Sequence, residues 1–469
     1  MERQYFTFVS SLLLALAVVA AFASVGEAAG TPNIIVDFTV KSFNVTNMSI
    51  GSTVSTYGST NLIKGGAAST NWRTLLGKLG PLVWRIPLRY FNGNVGSSAG
   101  GNFGDTNGAA YIQAIRNISG IPFVVIGGST NDNDITTSDA ASLVHYFNDN
   151  GGKNGGPVDY YVIGNEPDNG FGMDNYIFGG AGNAGYHNIA VAMRAATTRR
   201  LYLAGPSLVT WADYKYGDFN NFMSNCNADT DIIDFHKYGD GKVLGNINAT
   251  YQYRDALNWL RQQINVYFGA RANQINIQLG EFNYNSWYDG SWAQAFYTSR
   301  NLVHTVSTIG QVLSRGGRAY NYADNNGALG LITDGTSNND APAGKYVPLP
   351  SYWGIAAWTG GSYLRKLGTV MVSATSLVDG VEVYATDNKA KIVLINKSET
   401  QDQALVIQMN GKTTGIYSLY SFRRGMTATD FTNGLQFKAP LKTVSSATYQ
   451  NGIISVTIPW MSVIVAIVD

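Results

Sequence analysis

Val158-Asp159-Tyr160-Tyr161-Val162-Ile163-Gly164-Asn165-Glu166-Pro167 runs from apolar and aromatic residues straight into a glycine, an amide, a carboxylate and a proline. A β-branched and aromatic run closed by turn formers reads as a buried strand, Val158–Ile163, that delivers polar groups at its C-terminal end. A second segment, Ile275-Asn276-Ile277-Gln278-Leu279-Gly280-Glu281, has the same construction. Outward from these two, strand-length apolar runs alternate with longer stretches of helical spacing from Asn33 to about Gly360, which predicts an α/β protein with parallel strands. The predicted strands are Ile34–Val40, Leu82–Leu88, Ile121–Ile126, Val158–Ile163, Leu201–Ala204, Asp231–Phe235, Ile275–Leu279 and Arg318–Tyr322. Helices are expected at Asn71–Leu79, Ala109–Arg116, Ala140–Asn148, Tyr186–Arg199, Phe219–Asn225, Tyr251–Phe268, Trp292–Arg315 and Tyr352–Trp358. Eight strand–helix units suit one (β/α)8 TIM barrel over residues 30–360. The Gly- and Asn-rich stretches Asn92–Gly108 and Asp324–Gly344 are expected to be long loops that shape a cleft.

Past Gly361 the helical spacing stops. Runs such as Val381–Tyr384, Ala390–Ile395, Ala404–Met409 and Ile453–Ile458 predict an antiparallel β-sandwich over 361–469. The segment Asn33–Met48 has two readings, the first barrel strand or a strand lent to this C-terminal module.

The chain has 469 residues, 45% of them hydrophobic and 13% charged, enough to fill a large core and too apolar for disorder. Its 32 basic and 31 acidic residues form no long run of one sign, so nucleic acid is not an expected partner. Met1-Glu2-Arg3, an apolar stretch from Val9 to Ala23, and the small residues Gly26, Ala28 and Ala29 have the layout of a signal peptide over 1–29. That predicts a secreted protein, extracellular or, in a eukaryote, lysosomal or vacuolar. No later segment is apolar enough to span a bilayer, so the mature form is expected off the membrane and monomeric. A single cysteine, Cys226, permits no internal disulfide, and the sequons at Asn44, Asn47, Asn117, Asn248 and Asn396 permit glycosylation. The histidines His145, His187, His236 and His304 show no metal-ligand spacing and no glycine cluster has nucleotide-loop context, so neither metal nor cofactor is expected.

Glu166 ends the fourth predicted strand and Glu281 the seventh. A parallel barrel gathers strand C-termini at one mouth, so both carboxylates are expected on one rim. Two facing acids are what hydrolysis of a glycosidic bond requires, one to protonate the leaving oxygen and one to meet the oxocarbenium-like centre. Asn165 is placed to bond a substrate hydroxyl, and Pro167 stiffens the turn.

Gly164-Asn165-Glu166-Pro167, followed about 115 residues later by Gly280-Glu281-Phe282-Asn283, resembles the clan A glycoside hydrolases, most of all family 39, with families 79, 30 and 51 as neighbours. The resemblance implies that Glu166 is the general acid/base and Glu281 the nucleophile of a retaining enzyme. Trp84-Arg85-Ile86-Pro87 resembles the clan's strand-two arginine motif and Asp234-Phe235-His236-Lys237-Tyr238 its strand-six His-x-Tyr. By that resemblance Arg85 holds Glu281 ionised, Tyr238 donates a hydrogen bond to it, and Glu166 keeps its proton in a less polar setting. Two departures stand out: Gly280 where family 39 often has Thr, and Tyr320–Asp324 without the tryptophan of several members.

Trp211, Trp287, Trp292 and Tyr322 follow predicted strands closely enough to stack on sugar rings, with Trp287 and Tyr322 the chosen substrate contacts. The expected partner is an oligosaccharide or polysaccharide of plant, microbial or extracellular-matrix origin, cleaved at a β-glycosidic bond. Arg89 and Lys237 leave a uronic-acid-specific glycosidase as an alternative, and a non-catalytic carbohydrate-binding barrel is a second.

Overall fold

The computed structural model describes residues 30–54, 67–99, 102–103, 107–127, 132–149, 154–239, 246–286, 296–323, 329–333, 346–387, 390–422 and 440–469. The segment expected to be a signal peptide lies outside the described residues, as do Trp287 and Trp292. The chain opens with β1 (Ile34–Asn44), β2 (Ile50–Val54), helix α1 (Ala67–Gly77) and β3 (Val83–Phe91). A short antiparallel extension of β3 follows, β4 (Asn94–Ala99) and β5 (Asn102–Phe103). Next come α2 (Gly108–Asn117), β6 (Ile121–Ile126), α3 (Thr137–Asn148), β7 (Tyr160–Ile163), α4 (Met173–Phe178), α5 (Tyr186–Ala195) and β8 (Tyr202–Leu208). The rest of the α/β part is α6 (Tyr216–Cys226), β9 (Ile232–His236), α7 (Tyr251–Phe268), β10 (Asn276–Phe282), α8 (Ser299–Leu313), β11 (Arg318–Ala323) and α9 (Pro350–Thr359).

Strands β2, β3, β6, β7, β8, β9, β10 and β11 pair in that order, all parallel, and β11 pairs back to β2, which closes the barrel. Strand periodicity sorts the side chains. Val83, Phe123, Val125, Val162, Ala204, Ile232 and Tyr320 fill the interior, while Trp84, Ile86, Leu88, Tyr161, Ile163, Ile233 and Phe235 pack outward under the helices. Arg85 and Asp234, each two residues beyond an interior position, therefore point inward nearer the mouth.

Two sequence expectations are corrected. The first barrel strand is Ile50–Val54, not Ile34–Val40, and β1 is the strand lent to the C-terminal module. Ile34 and Val36 are fully buried in that module's own core with Val372, Leu405 and Ile407, and β1 lies antiparallel to β12 (Val370–Ser376) and parallel to β15. The true first strand carries little apolar signal because Ser52 and Thr53 face polar partners: their hydroxyls donate to the carbonyls of Asn321 and Gly280 at 2.9 Å. The second correction concerns Asn92–Gly108, which holds β4 and β5 in place of an open loop.

The module continues with β13 (Val381–Thr386), β14 (Lys391–Asn396), β15 (Gln403–Asn410), β16 (Gly415–Phe422), β17 (Leu441–Tyr449), β18 (Ile453–Ile458) and β19 (Ser462–Val468). Among the described residues its nine strands share one apolar cluster, so the sheet wraps around its own core, and only the β1–β15 pairing is parallel. Helix α8 is wedged between barrel and module. Its Ser307 and Gln311 donate to Glu382 of β13 at 2.5 and 3.0 Å, and Lys397 pairs with the same carboxylate at 2.5 Å. Cys226 is buried on α6, and His145 and His304 sit on α3 and α8. Among the described residues no helix is long and apolar enough to cross a membrane.

Candidate active site

Six of the residues singled out by sequence, Arg85, Asn165, Glu166, His236, Tyr238 and Glu281, converge at the barrel mouth from β3, the ends of β7 and β9, and β10. Arg85, only 1% exposed, sends Nη1 to Glu281 Oε1 in a short ion pair and Nη2 to Asn165 Oδ1 at 3.0 Å. Tyr238 donates its hydroxyl to the other oxygen of Glu281 at 2.6 Å. His236, fully buried, brings Nδ1 to 2.7 Å from Glu166 Oε1 and 3.6 Å from Glu281 Oε2. One carboxylate oxygen from each glutamate and a ring nitrogen of His236 all lie within 4.8 Å of one another.

The backbone explains how each acid is aimed. In β10 the register against β9 shifts between Leu279 and Glu281, so Glu281 lies opposite His236. Glu166 stands just past β7 with φ +48°, the left-handed region, and its N–H donates to the Ser207 carbonyl at 3.0 Å. Gly164 precedes it with φ +74°, and a Cβ there would meet Asn133 Oδ1 at 2.4 Å. That opening admits Asn133, which clamps the backbone of Asn165 from both sides: N–H to Oδ1 at 3.0 Å, Nδ2 to the carbonyl at 2.7 Å.

The charges balance within the cluster. Burial works against the ionised form of Glu281, but the charges of His236 and Arg85 and the hydrogen bonds from Tyr238 and Arg85 outweigh it and hold this carboxyl below the usual range. For His236, burial favours the neutral ring, yet the Glu281 charge and the Glu166 hydrogen bond win and raise it above an ordinary histidine. Burial and the neighbouring Glu281 charge push the Tyr238 phenol well above its ordinary value, so it stays a donor. Beneath them, burial raises Asp234 against the pull of Arg85, 3.7 Å away, and of His236.

The expectation that a less polar setting marks out Glu166 does not match the burial. Its side chain is 21% exposed, against 10% for Glu281. What separates the two acids is their partners, a guanidinium and a phenol on Glu281, and a histidine on Glu166. Tyr322 sits edge-on to Tyr238 with ring centroids 6.0 Å apart and flanks the pair. The Trp211 ring lies under the Lys237 ammonium at 5.8 Å, and Lys237 also donates to the Trp211 carbonyl at 3.4 Å. Arg89 is buried, with Asp134 and Asp132 as its acidic neighbours.

Sequence reasoning missed Ser207, Asn133 and the role of Asp234. Ser207 follows Gly205-Pro206, which reads as a turn although β8 runs on to Leu208. Asn133 lies in a polar connection remote in sequence. Asp234 was visible only as part of the motif that carries His236. Glu166, His236 and Glu281 have metal-ligand spacing, but both oxygens of Glu281 already accept from Arg85 and Tyr238, a donor set that fits a hydrogen-bonded acid pair better than an ion.

No family model and no curated protein matches this sequence. Solved structures do match the fold. The α-L-arabinofuranosidase from Thermotoga maritima superposes with a TM-score of 0.67 at 15% identity, covering 94% of this chain and 100% of that one. The family 51 arabinofuranosidase from Xanthomonas axonopodis pv. citri gives 0.68 at 13% identity over 93% and 100%. A family 44 xyloglucanase from Paenibacillus polymyxa gives 0.63 at 11% identity over 93% and 99%. The chain therefore has the architecture of these glycoside hydrolases, a TIM barrel carrying a C-terminal β domain.

Proposed function

We propose that this chain is a retaining glycoside hydrolase, with Glu281 as nucleophile and Glu166 as general acid/base. The observation that carries the reading is the approach of one oxygen of each carboxylate to within 4.8 Å of the other, which favours the close pair of double displacement, ~5–5.5 Å between carboxyl groups, over the ~6.5–9.5 Å that leaves room for an inverting water. Arg85 and Tyr238 hold Glu281 as an anion facing the anomeric carbon. Glu166 protonates the departing oxygen, and a glycosyl ester forms on Glu281. Glu166 then takes a proton from water, whose oxygen attacks the same carbon and releases Glu281, with net retention. Asn165, fixed through its Oδ1 on Arg85, offers its amide hydrogens to a sugar hydroxyl.

The substrate we propose is a neutral glycan with a β-glycosidic linkage, Tyr322 and Trp211 lining the approach. Arg89, buried beside acidic residues, is poorly placed to meet a uronate carboxylate. The structural neighbours are named for arabinofuranosides, glucan, xylan and xyloglucan, so arabinofuranosides belong in any test. Secretion, with residues 1–29 removed, is part of the same reading. N-terminal sequencing of the exported protein checks it.

The test is hydrolysis of aryl xylosides, glucosides, galactosides, arabinofuranosides and glucuronides by the protein and by its Glu281→Gln and Glu166→Gln variants, with the product anomer followed by NMR. Activity on one sugar, retention, and its near-complete loss in Glu281→Gln are expected. Glu166→Gln should lose about 10²–10⁴-fold on poor leaving groups and much less on activated ones. Inversion would sink the mechanism. Silence on every glycoside and on polysaccharides would favour a non-catalytic carbohydrate-binding barrel.

A further inference from the structure

Where the barrel meets the C-terminal module, β1, β12 and β13 leave a groove of about 550 Å³ against α7 and the end of α8. Small-ligand sites usually measure ~300–1,000 Å³. The acid on its floor, Glu382, is already matched: Lys397 and Gln311 hold Oε1 at 2.5 and 3.0 Å, and the hydroxyls of Ser307 and Tyr384 donate to Oε2 at 2.5 and 3.0 Å. Two guanidiniums line the same space, Arg254 from the first turn of α7 and Arg315 just past α8. Each carries five N–H donors. Among the described residues Arg254 directs one to Asp255 at 3.1 Å and Arg315 one to the Ser314 carbonyl at 2.9 Å. Arg315 is exposed and the Arg254 side chain is 39% exposed. Forked donors in an open groove suit an anion, and a planar carboxylate above all.

Phe43 of β1 adds a second kind of contact. Its ring lies on the bare Cα of Gly316, where a Cβ would stand 2.6 Å from Phe43 Cδ1. The ring is fixed on that side, yet 41% of the residue stays exposed to the groove. An aromatic ring held rigid and open is a platform for the apolar face of a sugar, at little cost in ordering. Ser373 and Thr375, exposed on β12, line the groove as well and offer hydroxyls. We propose that this groove is a non-catalytic binding site for an acidic saccharide, a uronic-acid residue of an oligosaccharide or polysaccharide, with Arg254 and Arg315 on its carboxylate and Phe43 against its ring. The site uses neither Glu166 nor Glu281. Its ligand class follows from the arginines, the phenyl ring and the hydroxyls; only its purpose rests on the glycosidase reading, in which a polymer cleaved at a neutral residue in the barrel mouth is held by an acidic residue in the groove. Phosphate or an acidic peptide would engage the arginines and leave Phe43 idle.

The experiment is titration calorimetry of trigalacturonate, uncharged xylotriose, inorganic phosphate and hexaglutamate into the full chain and its Arg254→Gln, Arg315→Gln and Phe43→Ala variants, each carrying Glu281→Gln so that no ligand is turned over. Trigalacturonate should bind, more weakly as salt rises. Each arginine substitution should weaken it about tenfold or more and Phe43→Ala about two- to tenfold, while xylotriose responds to none of them. Arg315 is exposed, so its replacement leaves the packing intact and keeps the test sound even where Phe43→Ala loosens β1. With Glu281 restored, kcat/KM on the best aryl glycoside should be unchanged in all three. Absence of trigalacturonate binding, or binding that no arginine substitution weakens, would overturn the site. Phosphate or hexaglutamate bound as tightly as trigalacturonate, with Phe43→Ala silent, would overturn the saccharide assignment. A chain that cleaves no glycoside but binds trigalacturonate in the groove would refute the glycosidase reading and leave this site standing.

Discussion

Gly280→Ala is the smallest substitution that should damage both the fold and the site. An added Cβ would stand 2.2 Å from Asp234 Oδ1 and 2.8 Å from Oδ2. Asp234 has nowhere to retreat, since it is fully buried and held by Gln278 Nε2 at 3.0 Å and Arg85 at 3.7 Å. To regain van der Waals contact the carboxylate must move by about 1 Å. Overpacking costs about 1–3 kcal/mol and the weakened hydrogen bond to a buried carboxylate about 1.5–3 kcal/mol, so destabilisation of about 2.5–6 kcal/mol is expected. The displaced Asp234 also drags on Arg85, for a loss in kcat/KM of about 10²-fold. Gly217→Ala on α6 is the control: nothing lies within 4 Å of its added Cβ, so it should be neutral or stabilise by up to about 1 kcal/mol. Urea unfolding of the two variants beside wild type reads the difference. If Gly280→Ala unfolds within about 1 kcal/mol of wild type, the packing of Asp234 against β10 is not what sets the residue at this position.

Tyr238→Phe removes one hydrogen bond to Glu281, about 1.5–3 kcal/mol, so the depressed ionisation of Glu281 should rise by about one to two pH units and the acid limb of kcat/KM should move up with it. An unmoved limb would show that the charges of His236 and Arg85 set the ionisation of Glu281 without Tyr238. Lys391, buried with its ammonium on the carbonyls of Ala357 and Trp358, is brought down to about 7 by burial and by Arg365. Its folded-state value is below the unfolded one, so the native state binds fewer protons than the unfolded chain above pH 7. Stability should rise from pH 7 toward 10 by up to about 1.4 kcal/mol per unit, and Lys391→Met should flatten that slope in thermal melts. Asn396 is a sequon whose side chain is fully buried and donates to the carbonyls of Gln401 and Ile458. Asn396→Ala, expressed in a glycosylating host, should leave the glycan mass unchanged while lowering stability by about 1–3 kcal/mol.

The glutamates were readable because each ends a run whose burial the sequence announces, and a parallel barrel puts all such ends on one rim. Strand β2 was not readable for the same physical reason in reverse. Its adjacent residues Ser52 and Thr53, on opposite faces, satisfy carbonyls of neighbouring strands, so their burial is matched by hydrogen bonds and leaves little apolar trace. β1 misled because Ile34 and Val36 are as apolar as any barrel strand, and nothing local says which core receives them. Ser207 escaped because Gly205-Pro206 punctuates β8 in sequence without ending it in space. Gly280 stood out as a departure from family 39, and its cause, the carboxylate of Asp234 against the strand, involves a residue on another strand that no local pattern reveals.

The two acids are positioned by different means, and the difference suits the roles proposed for them. Glu281 is carried by a continuous strand with one register shift, and its carboxylate is held at both oxygens. That is the rigid, charge-compensated setting an attacking group requires. Glu166 sits on backbone in the left-handed region, hydrogen-bonded to Ser207, which lies in the same region. Non-glycine residues held there cost on the order of 1–3 kcal/mol each, and the Asn133 clamp on Asn165 together with the bare Cα of Gly164 keeps the turn from relaxing. Relaxing it would withdraw the Glu166 carboxylate from His236 and break that hydrogen bond while leaving Arg85, Tyr238 and Glu281 intact. The strained turn is thus what keeps Glu166 tied to Glu281 through one histidine.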